Sequence, residues 1–255
     1  MAKPFERNAA IVTGGAIRLG RAISLELAQK GYDVAIIYHS SSDEAEKTAS
    51  EIHKLEVHCE LFQADLRQVD TLPALFSHII EKLPNLRVLI NNASHFKSGP
   101  ISKTDDAFLQ EMFAIHLNAP FALTREFARH GCKGNIINLL DTKITANDYD
   151  YAAYYLAKKA LAEFTKMAAL EFAPDIRVNA VAPGPTIPTA GTGMTEFDEE
   201  TIAAIPLKRS ATTKNVTQAI LHLLENDFIN GHILTIDGGE SLNSGSGLIQ
   251  SRIPD

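Results

Sequence analysis

A tyrosine and a lysine four residues apart are the side chains in this sequence best suited to moving a proton. Tyr154 and Lys158 lie in the stretch YYLAKKAL, and their spacing puts both on one face of a helix. A nearby ammonium favours the phenolate, so the ordinary tyrosine pKa of about 10 falls toward values useful near neutral pH. Tyr155 and Lys159 have the same spacing. From spacing alone, either pair is as compatible with an exposed surface contact as with catalysis.

A glycine-containing turn follows the first apolar run and predicts a dinucleotide site. The run AAIVT at 9–13 leads directly into TGGAIRLG and then into a helical pattern. Glycines here let the backbone approach a pyrophosphate at a helix N-terminus, and we expect Gly14 to form the tight turn and Gly20 the close packing. Such a pair is weak on its own, because many tight turns need glycine. Asp65 ends the third predicted strand and the run at 91–94 ends the fourth, where the switch-point rule places ligands.

The residues after the second predicted strand favour NADPH over NADH. An acidic residue at that strand end would accept hydrogen bonds from a free ribose hydroxyl and repel a 2′-phosphate. The sequence instead has His39, Ser40 and Ser41 there, and Arg18 brings a fixed positive charge into the glycine turn. The alternative is that residues 39–42 only begin the next helix, since serine is a favoured N-cap.

Seven short β-branched runs alternate with longer amphipathic stretches and predict an α/β fold. Such βαβ units form parallel, right-handed crossovers. We therefore expect a Rossmann-type, doubly wound parallel sheet of about seven strands with helices on both faces. We place no domain boundary within 1–255, and we expect 183–210 to be a substrate loop and 241–255 a C-terminal tail. The runs are at 9–13, 34–38, 58–65, 88–92, 135–141, 176–182 and 232–237, with helices predicted at 43–56, 70–83, 105–130, 151–173 and 213–225 as well as after the glycine turn.

Composition excludes several classes of protein. The chain has 255 residues, a formal net charge of −7, 45% hydrophobic residues and 22% charged residues, which is typical of soluble globular proteins. The acidic balance argues against a nucleic-acid partner, and no run approaches the roughly 18 apolar residues of a membrane span. The start MAKPFERNAAIVTGG lacks a secretory signal pattern. We expect a cytoplasmic protein that acts on a small molecule and has no metal site.

Together these motifs resemble the short-chain dehydrogenase/reductase family from Ile11 to Gly239. The family's pattern Tyr-x-x-x-Lys-x-Ala-Leu selects Tyr154 and Lys158. The resemblance implies that Tyr154 donates a proton to the reduced bond and that Lys158 holds the nicotinamide ribose. The motifs that occur in the family's order are the Thr-Gly turn at 13–20, Asn-Asn-Ala at 91–93, Tyr-x-x-x-Lys, Arg-Val-Asn-Ala-Val-Ala-Pro-Gly at 177–184 and Asp-Gly-Gly at 237–239.

The same resemblance extends the set of expected cofactor contacts and implies a homotetramer. It places the run at 92–94 along the cofactor and the residues at 183–186 beside the carboxamide. With the residues chosen above, the NADPH or NADP site is expected to contain Gly14, Arg18, Leu19, His39, Ser40, Ser41, Asp65, Leu66, Asn92, Ala93, Ser94, Tyr154, Lys158, Pro183, Gly184 and Thr186.

Departures from the usual family pattern resemble the pteridine reductase branch. Asp141 stands where the family usually has a serine, thirteen residues before the tyrosine, and Arg18 replaces a usual glycine. The resemblance implies substrate contacts by Arg18, Ser94, Phe96, Asp141 and Tyr154, with Phe96 stacking a flat pterin against the nicotinamide. The alternatives are that Phe96 is a core aromatic and that Asp141 only caps a turn.

These residues lead to a specific expectation of function. Reducing a ring C=N bond requires proton delivery to nitrogen, for which a carboxyl feeding a tyrosine is suited. We predict an NADPH-dependent reductase of an oxidised pteridine or folate, with the proton passing through Tyr154 and Asp141. Alternatives are a short-chain reductase of a carbonyl on another small molecule and a non-catalytic NADP-binding sensor. His116 stands where many family members have an asparagine that helps a relay water, and its role stays open.

Overall fold

A computed structural model describes residues 7–188 and 194–243 and has a parallel sheet at its centre. Within these ranges the sheet has seven strands in the order β3-β2-β1-β4-β5-β6-β7, and all neighbouring strands are parallel. The predicted doubly wound sheet is therefore confirmed. The strands are β1 (Ala9–Thr13), β2 (Asp33–Tyr38), β3 (Cys59–Gln63), β4 (Leu86–Asn91), β5 (Gly134–Leu139), β6 (Ile176–Pro183) and β7 (Ile233–Ile236).

Helices connect the strands and cover both faces of the sheet. The stretch 105–130, predicted as one helix, is divided by a π-helical turn at Ala114–Asn118. Among the helices described, none combines the length and apolar character that crossing a bilayer demands. The helices are α1 (Arg18–Gln29), α2 (Ser42–His53), α3 (Leu72–Lys82), α4 (Asp106–Phe113), α5 (Ala119–Arg129), α6 (Ala152–Glu171), α7 (Glu199–Ala204), α8 (Thr213–Glu225) and α9 (Glu240–Asn243).

The core consists of two apolar layers, one on each face of the sheet. Successive strand residues point to opposite faces, and β1 illustrates this alternation. Ile11 packs in the layer that contains Phe76 of α3 and Phe127 of α5, whereas Val12 packs in the layer that contains Ile23 of α1. Burial of both faces explains why the strands appear in the sequence as continuous apolar runs.

The strand order reverses between β1 and β4, and the two strand ends are joined there by hydrogen bonds. Thr13 Oγ1 accepts the backbone N–H groups of Asn92 and Ala93, both at 2.9 Å. The Asn92 side-chain amide donates to the Thr13 carbonyl oxygen at 2.9 Å. The crevice beyond such a reversal is where open α/β sheets bind ligands.

The two segments predicted to lack regular structure are described in part. Segment 183–210 begins at the last residue of β6 and contains α7, so it is not a continuous loop. Its residues 189–193 lie outside the described ranges. In the predicted tail 241–255, residues 241–243 belong to α9, and 244–255 lie outside the described residues.

Candidate active site

A cleft of about 1130 Å³ lies at the carboxyl ends of the strands. Pockets for drug-sized ligands have about 300–1,000 Å³, so this cleft exceeds what one such ligand needs. Its walls come from the glycine turn, the segment after β4, the start of α6, the segment after β6 and α7. Every residue that the sequence analysis assigned to the cofactor, the substrate or catalysis lines it.

The glycine turn brings the backbone very close to the N-terminus of α1. Gly14 has a φ of +63°, a left-handed conformation that glycine adopts without steric cost. A Cβ on Gly20 would lie 1.9 Å from the carbonyl oxygen of Gly14. Both positions therefore need glycine, and the compact turn leaves the backbone at the helix N-terminus accessible from the cleft.

Asp141 contacts the hydroxyl of Tyr154 and also caps a turn. Its Oδ2 accepts from the Tyr154 hydroxyl at 3.2 Å. Its Oδ1 accepts from the backbone N–H of Lys143 at 2.8 Å, which caps the 3₁₀ turn Thr142–Thr145. One oxygen of the carboxyl group thus makes the contact that a proton relay would need, and the other makes the contact of a turn cap.

Of the two Tyr-Lys pairs, the structure directs the first into the cleft. Lys158 is buried and donates to the carbonyl oxygen of Leu139 at 2.6 Å, and its Nζ lies 5.8 Å from the ring centroid of Tyr154. Lys159 instead donates to the Ala146 carbonyl oxygen at 2.7 Å and to the Asn147 side chain at 2.8 Å. Tyr155 also lines the cleft, but Lys159, the lysine of the second pair, is not among the lining residues.

Burial, rather than the lysine, governs the acidity of the tyrosine. Burial raises the pKa of Tyr154 well above 10, and the charge of Asp141 adds to this rise. The expectation that the pKa of Tyr154 falls toward neutrality is therefore wrong, because burial outweighs the favourable charge of Lys158. Burial also raises the pKa of Asp141. It lowers the pKa of Lys158 to about 8, against the opposing effect of the Asp141 charge.

Phe96 belongs to an aromatic wall of the cleft. It stacks on Tyr151 with ring centroids 4.5 Å apart and an interplanar angle of 11°. It meets Tyr154 edge to face at 4.9 Å. A flat ligand stacked on Phe96 would use the ring face opposite Tyr151 or displace that tyrosine.

His116 is buried behind the segment after β4, and its ring nitrogens lie within hydrogen-bond distance of three polar groups. It is 1% exposed and sits in the π-helical turn. Its Nδ1 is 2.9 Å from the carbonyl oxygen of Met112, and its Nε2 is 3.1 Å from Oγ of Ser94. The backbone N–H of His95 donates to the same Nε2 at 3.2 Å. Burial, followed by the nearby Lys158 charge, lowers the pKa of His116 to about 3.

Arg18 is held against the segment that follows β6. It donates to the carbonyl oxygen of Pro188 at 2.5 Å and to that of Ile187 at 3.4 Å. Both hydrogen bonds are made by Nη2, so a phosphate contact through Nε or Nη1 would not require Arg18 to give up these carbonyl oxygens. At the end of β2, Ser41 occupies the N-cap position of α2, but its side chain makes no capping hydrogen bond. Ser41 thus stands where the helix-cap alternative placed it, but its hydroxyl does not cap the helix.

Sequence reasoning missed a row of charged residues along one wall. Arg67 donates to both carboxyl oxygens of Asp65, with Nε at 2.9 Å and Nη2 at 2.8 Å, and lowers the pKa of that carboxyl. Arg67 also meets Glu111 at 3.5 Å, and Glu111 meets His95 at 3.1 Å. The Asp-x-Arg spacing was a usable signal for Arg67. No sequence pattern pointed to Glu111, because its partners Arg67 and His95 are distant in sequence.

Comparisons with known proteins agree with this geometry. A family model described as enoyl-(acyl carrier protein) reductase matches residues 15–241. The uncharacterized oxidoreductase YohF of Escherichia coli (strain K12) is 32% identical over 241 residues, which are 90% of this chain and 94% of that protein.

Solved structures resemble the chain over nearly its whole length. FolM alternative dihydrofolate reductase 1 from Brucella canis, solved with NADP, has a TM-score of 0.88 and 31% identity over 98% of both chains. Acetoin dehydrogenase YohF from Salmonella typhimurium has a TM-score of 0.87 and 29% identity, with 95% of this chain and 99% of that chain covered.

Proposed function

Because the chain belongs to the short-chain dehydrogenase/reductase family, we propose that it is an NADPH-dependent reductase of an oxidised pteridine or folate. Membership makes it an NAD(P)-dependent oxidoreductase. The observation that carries the narrower proposal is the contact of 3.2 Å between the Asp141 carboxyl and the Tyr154 hydroxyl. The similarity to a FolM protein solved with NADP supports both the cofactor and the substrate class.

The residues present fit a nicotinamide dinucleotide. The closely packed turn at Gly14 and Gly20 leaves backbone N–H groups at the start of α1 for a pyrophosphate. Lys158 would hold the nicotinamide ribose, while His39 and Ser40 would meet a 2′-phosphate. When bound, NADPH supplies the hydride. The full set of proposed contacts is the one predicted from the sequence.

Protons reach the substrate through two side chains. The Tyr154 hydroxyl gives its proton to the ring nitrogen while the adjacent carbon of the C=N bond takes the hydride, so that the product is an N–H and a C–H. Asp141 then takes a proton from solvent in the cleft and passes it to the phenolate, which restores both groups. Burial raises the pKa of Asp141, which makes this carboxyl a better proton reservoir than an exposed one. The Lys158 ammonium favours the phenolate electrostatically.

The aromatic wall supports a flat substrate. The ring centroid of Phe96 lies 4.5 Å from that of Tyr151 and 4.9 Å from that of Tyr154, and planar heterocycles stack well on such rings.

We further propose a homotetramer, as the family resemblance implies.

A second candidate is reduction of a carbonyl on another small molecule. The observation that favours it is the similarity to an acetoin dehydrogenase, with a TM-score of 0.87. Asp141 argues against it, because a serine in this place would donate to a carbonyl oxygen whereas an ionised carboxylate only accepts.

The decisive experiment is a substrate panel with NADPH. Purified protein is mixed with dihydrobiopterin, dihydrofolate, acetoin and other ketones, and loss of NADPH absorbance is followed. Turnover of a pteridine or folate well above that of the ketones supports the proposal. Brisk ketone reduction without pteridine turnover would overturn it, and NADPH binding without any turnover would favour a sensor.

A further inference from the structure

The hydrogen bonds around His116 fix its tautomer. The His95 backbone can only donate to Nε2, at 3.2 Å, so this nitrogen must carry a lone pair. The Met112 carbonyl oxygen can only accept, and it lies 2.9 Å from Nδ1. A neutral imidazole has one N–H and one acceptor nitrogen, so the proton must be on Nδ1. The two neighbours therefore specify the same tautomer independently.

This tautomer determines the direction of the Ser94 hydroxyl. Ser94 Oγ lies 3.1 Å from Nε2, and a nitrogen without hydrogen can only accept. Ser94 must therefore donate its hydrogen to His116. A serine hydroxyl has a single hydrogen and two lone pairs. Toward the cleft, which Ser94 lines, it consequently offers lone pairs.

Two acceptors then line the cleft. One is Ser94 Oγ, and the other is Oδ2 of Asp141, which lies 3.2 Å from the Tyr154 hydroxyl. A ketone oxygen has lone pairs and no hydrogen, so it would face these acceptors without satisfying them. A heterocycle with ring N–H or amino groups would satisfy them, because it presents hydrogens to the same oxygens.

We propose that His116 is a positioning residue that holds Ser94 as a hydrogen-bond acceptor, and that it thereby selects substrates that present N–H donors over carbonyl compounds. This inference rests on the proposed function and adds the residue that sets substrate selectivity. His116 does not touch the substrate in this scheme and acts through Ser94. Its imidazole is neutral near physiological pH, because burial and the Lys158 ammonium both disfavour a second proton.

The first test replaces the acceptor. In His116→Phe a phenyl ring replaces the imidazole and both nitrogens are lost, so Ser94 becomes free to turn its hydrogen toward the cleft. We expect kcat/KM for dihydrobiopterin to fall about tenfold relative to that for acetoin, as one lost hydrogen bond to the substrate would give. His116→Asn retains a side-chain oxygen that can accept, and we expect it to preserve most of the selectivity.

The chain offers a closely matched control. His130 Nδ1 is 3.0 Å from the carbonyl oxygen four residues earlier, that of Glu126, and its Nε2 is 3.3 Å from the hydroxyl of Ser77. It thus repeats two of the three contacts of His116 at the end of α5, and it is not among the residues that line the cleft. His130→Phe should leave the selectivity unchanged.

Two further measurements separate this inference from a merely structural role. In a Ser94→Ala background, His116→Phe should no longer alter the substrate ratio, since the residue acts through that hydroxyl. Nitrogen NMR of histidine-labelled wild-type protein should find the His116 proton on Nδ1, and this measurement needs no variant to fold. A proton on Nε2, an equal loss for both substrates, or an undiminished change in the Ser94→Ala background would overturn the inference. Lack of pteridine turnover in wild-type protein would count instead against the proposed function.

Discussion

The carboxyl group of Asp141 touches the hydroxyl of Tyr154 with one oxygen, at 3.2 Å, and caps a 3₁₀ turn with the other. A variant at this position can therefore lose a proton source, a structural cap or both. Serine is the informative replacement, because its hydroxyl can still cap the turn but cannot supply protons at neutral pH.

We expect Asp141→Ser to lower the turnover of a pteridine by about 10²-fold or more, in the range of a lost general acid or base. Asp148→Ser is the control, since Asp148 also caps a 3₁₀ turn, accepting from the Asp150 N–H at 2.9 Å. Steady-state kinetics of both variants decide the question. Retained activity in Asp141→Ser would leave the carboxyl without a chemical role.

Tyr154→Phe should lower turnover by about 10²–10⁴-fold, because the ring remains and only the proton donor is lost. NADPH affinity, measured by fluorescence titration, should change little. Tyr155→Phe is the matched variant in the competing register, and its rate should stay much closer to that of wild type. A greater loss in Tyr155→Phe would reassign the donor.

The rate of reduction should fall as the pH rises through about 8. Burial lowers the pKa of Lys158 to about 8, so above that pH the ammonium that favours the Tyr154 phenolate disappears. The Asp141 charge holds this pKa up, and Asp141→Asn should therefore move the alkaline limb to lower pH. The profile of kcat/KM reports groups of the free enzyme.

The control for the pH profile is Lys159→Gln. The Lys159 ammonium is bound to Ala146 and Asn147 away from Tyr154, so its removal should leave the alkaline limb in place. An alkaline limb that shifts with Lys159 and stays fixed in Asp141→Asn would contradict the assignment to Lys158.

Gly20→Ala should weaken NADPH binding and lower stability by about 1–3 kcal/mol, the usual cost of overpacking. The added methyl would lie 1.9 Å from the Gly14 carbonyl oxygen and must displace the turn. Gly31→Asn, just after α1, is the comparison, because nothing lies within 4 Å of its Cβ position and asparagine tolerates the left-handed conformation. Calorimetric titration and thermal unfolding measure the two effects. Unchanged NADPH affinity in Gly20→Ala would remove the turn from the cofactor site.

Phe121→Asp should dissociate the proposed homotetramer into smaller species. Phe121 on α5 is 48% exposed and packs on Phe164 of α6 at 4.8 Å, and Leu170 on α6 is 83% exposed. Large exposed apolar side chains on adjacent helices favour association. Light scattering after gel filtration measures the mass. Leu55→Asp, at the end of α2, should leave the assembly intact, and a monomeric wild-type protein would refute the proposal.

The sequence predicted the sheet and the lining of the cleft because both depend on local patterns. Strands buried on two faces are continuous apolar runs, and the polar residues that follow them fall at one sheet edge by topology. The residue roles, and the assignment of 1–255 to one domain, stay predictions.

Features that depend on burial or on distant partners could not be predicted. The raised pKa of Tyr154 comes mainly from desolvation, which spacing to Lys158 does not reveal. Glu111 meets Arg67 from 44 residues away in the chain. The π-helical turn at Ala114–Asn118 adds one residue to a helical turn. This changes the apolar pattern too little for the turn to be predicted from the sequence.

The link between Thr13 and the segment after β4 has a practical consequence for protein engineering. The Thr13 hydroxyl accepts two backbone N–H groups, and the Asn92 side chain donates to the Thr13 carbonyl oxygen. The end of β1 and the segment after β4 are therefore fixed to each other before a ligand binds. On the opposite side, α7 lines the cleft with residues that are not among those assigned to the cofactor. Exchanging α7 between homologues is therefore the route by which a new substrate range can be grafted while nucleotide affinity is kept.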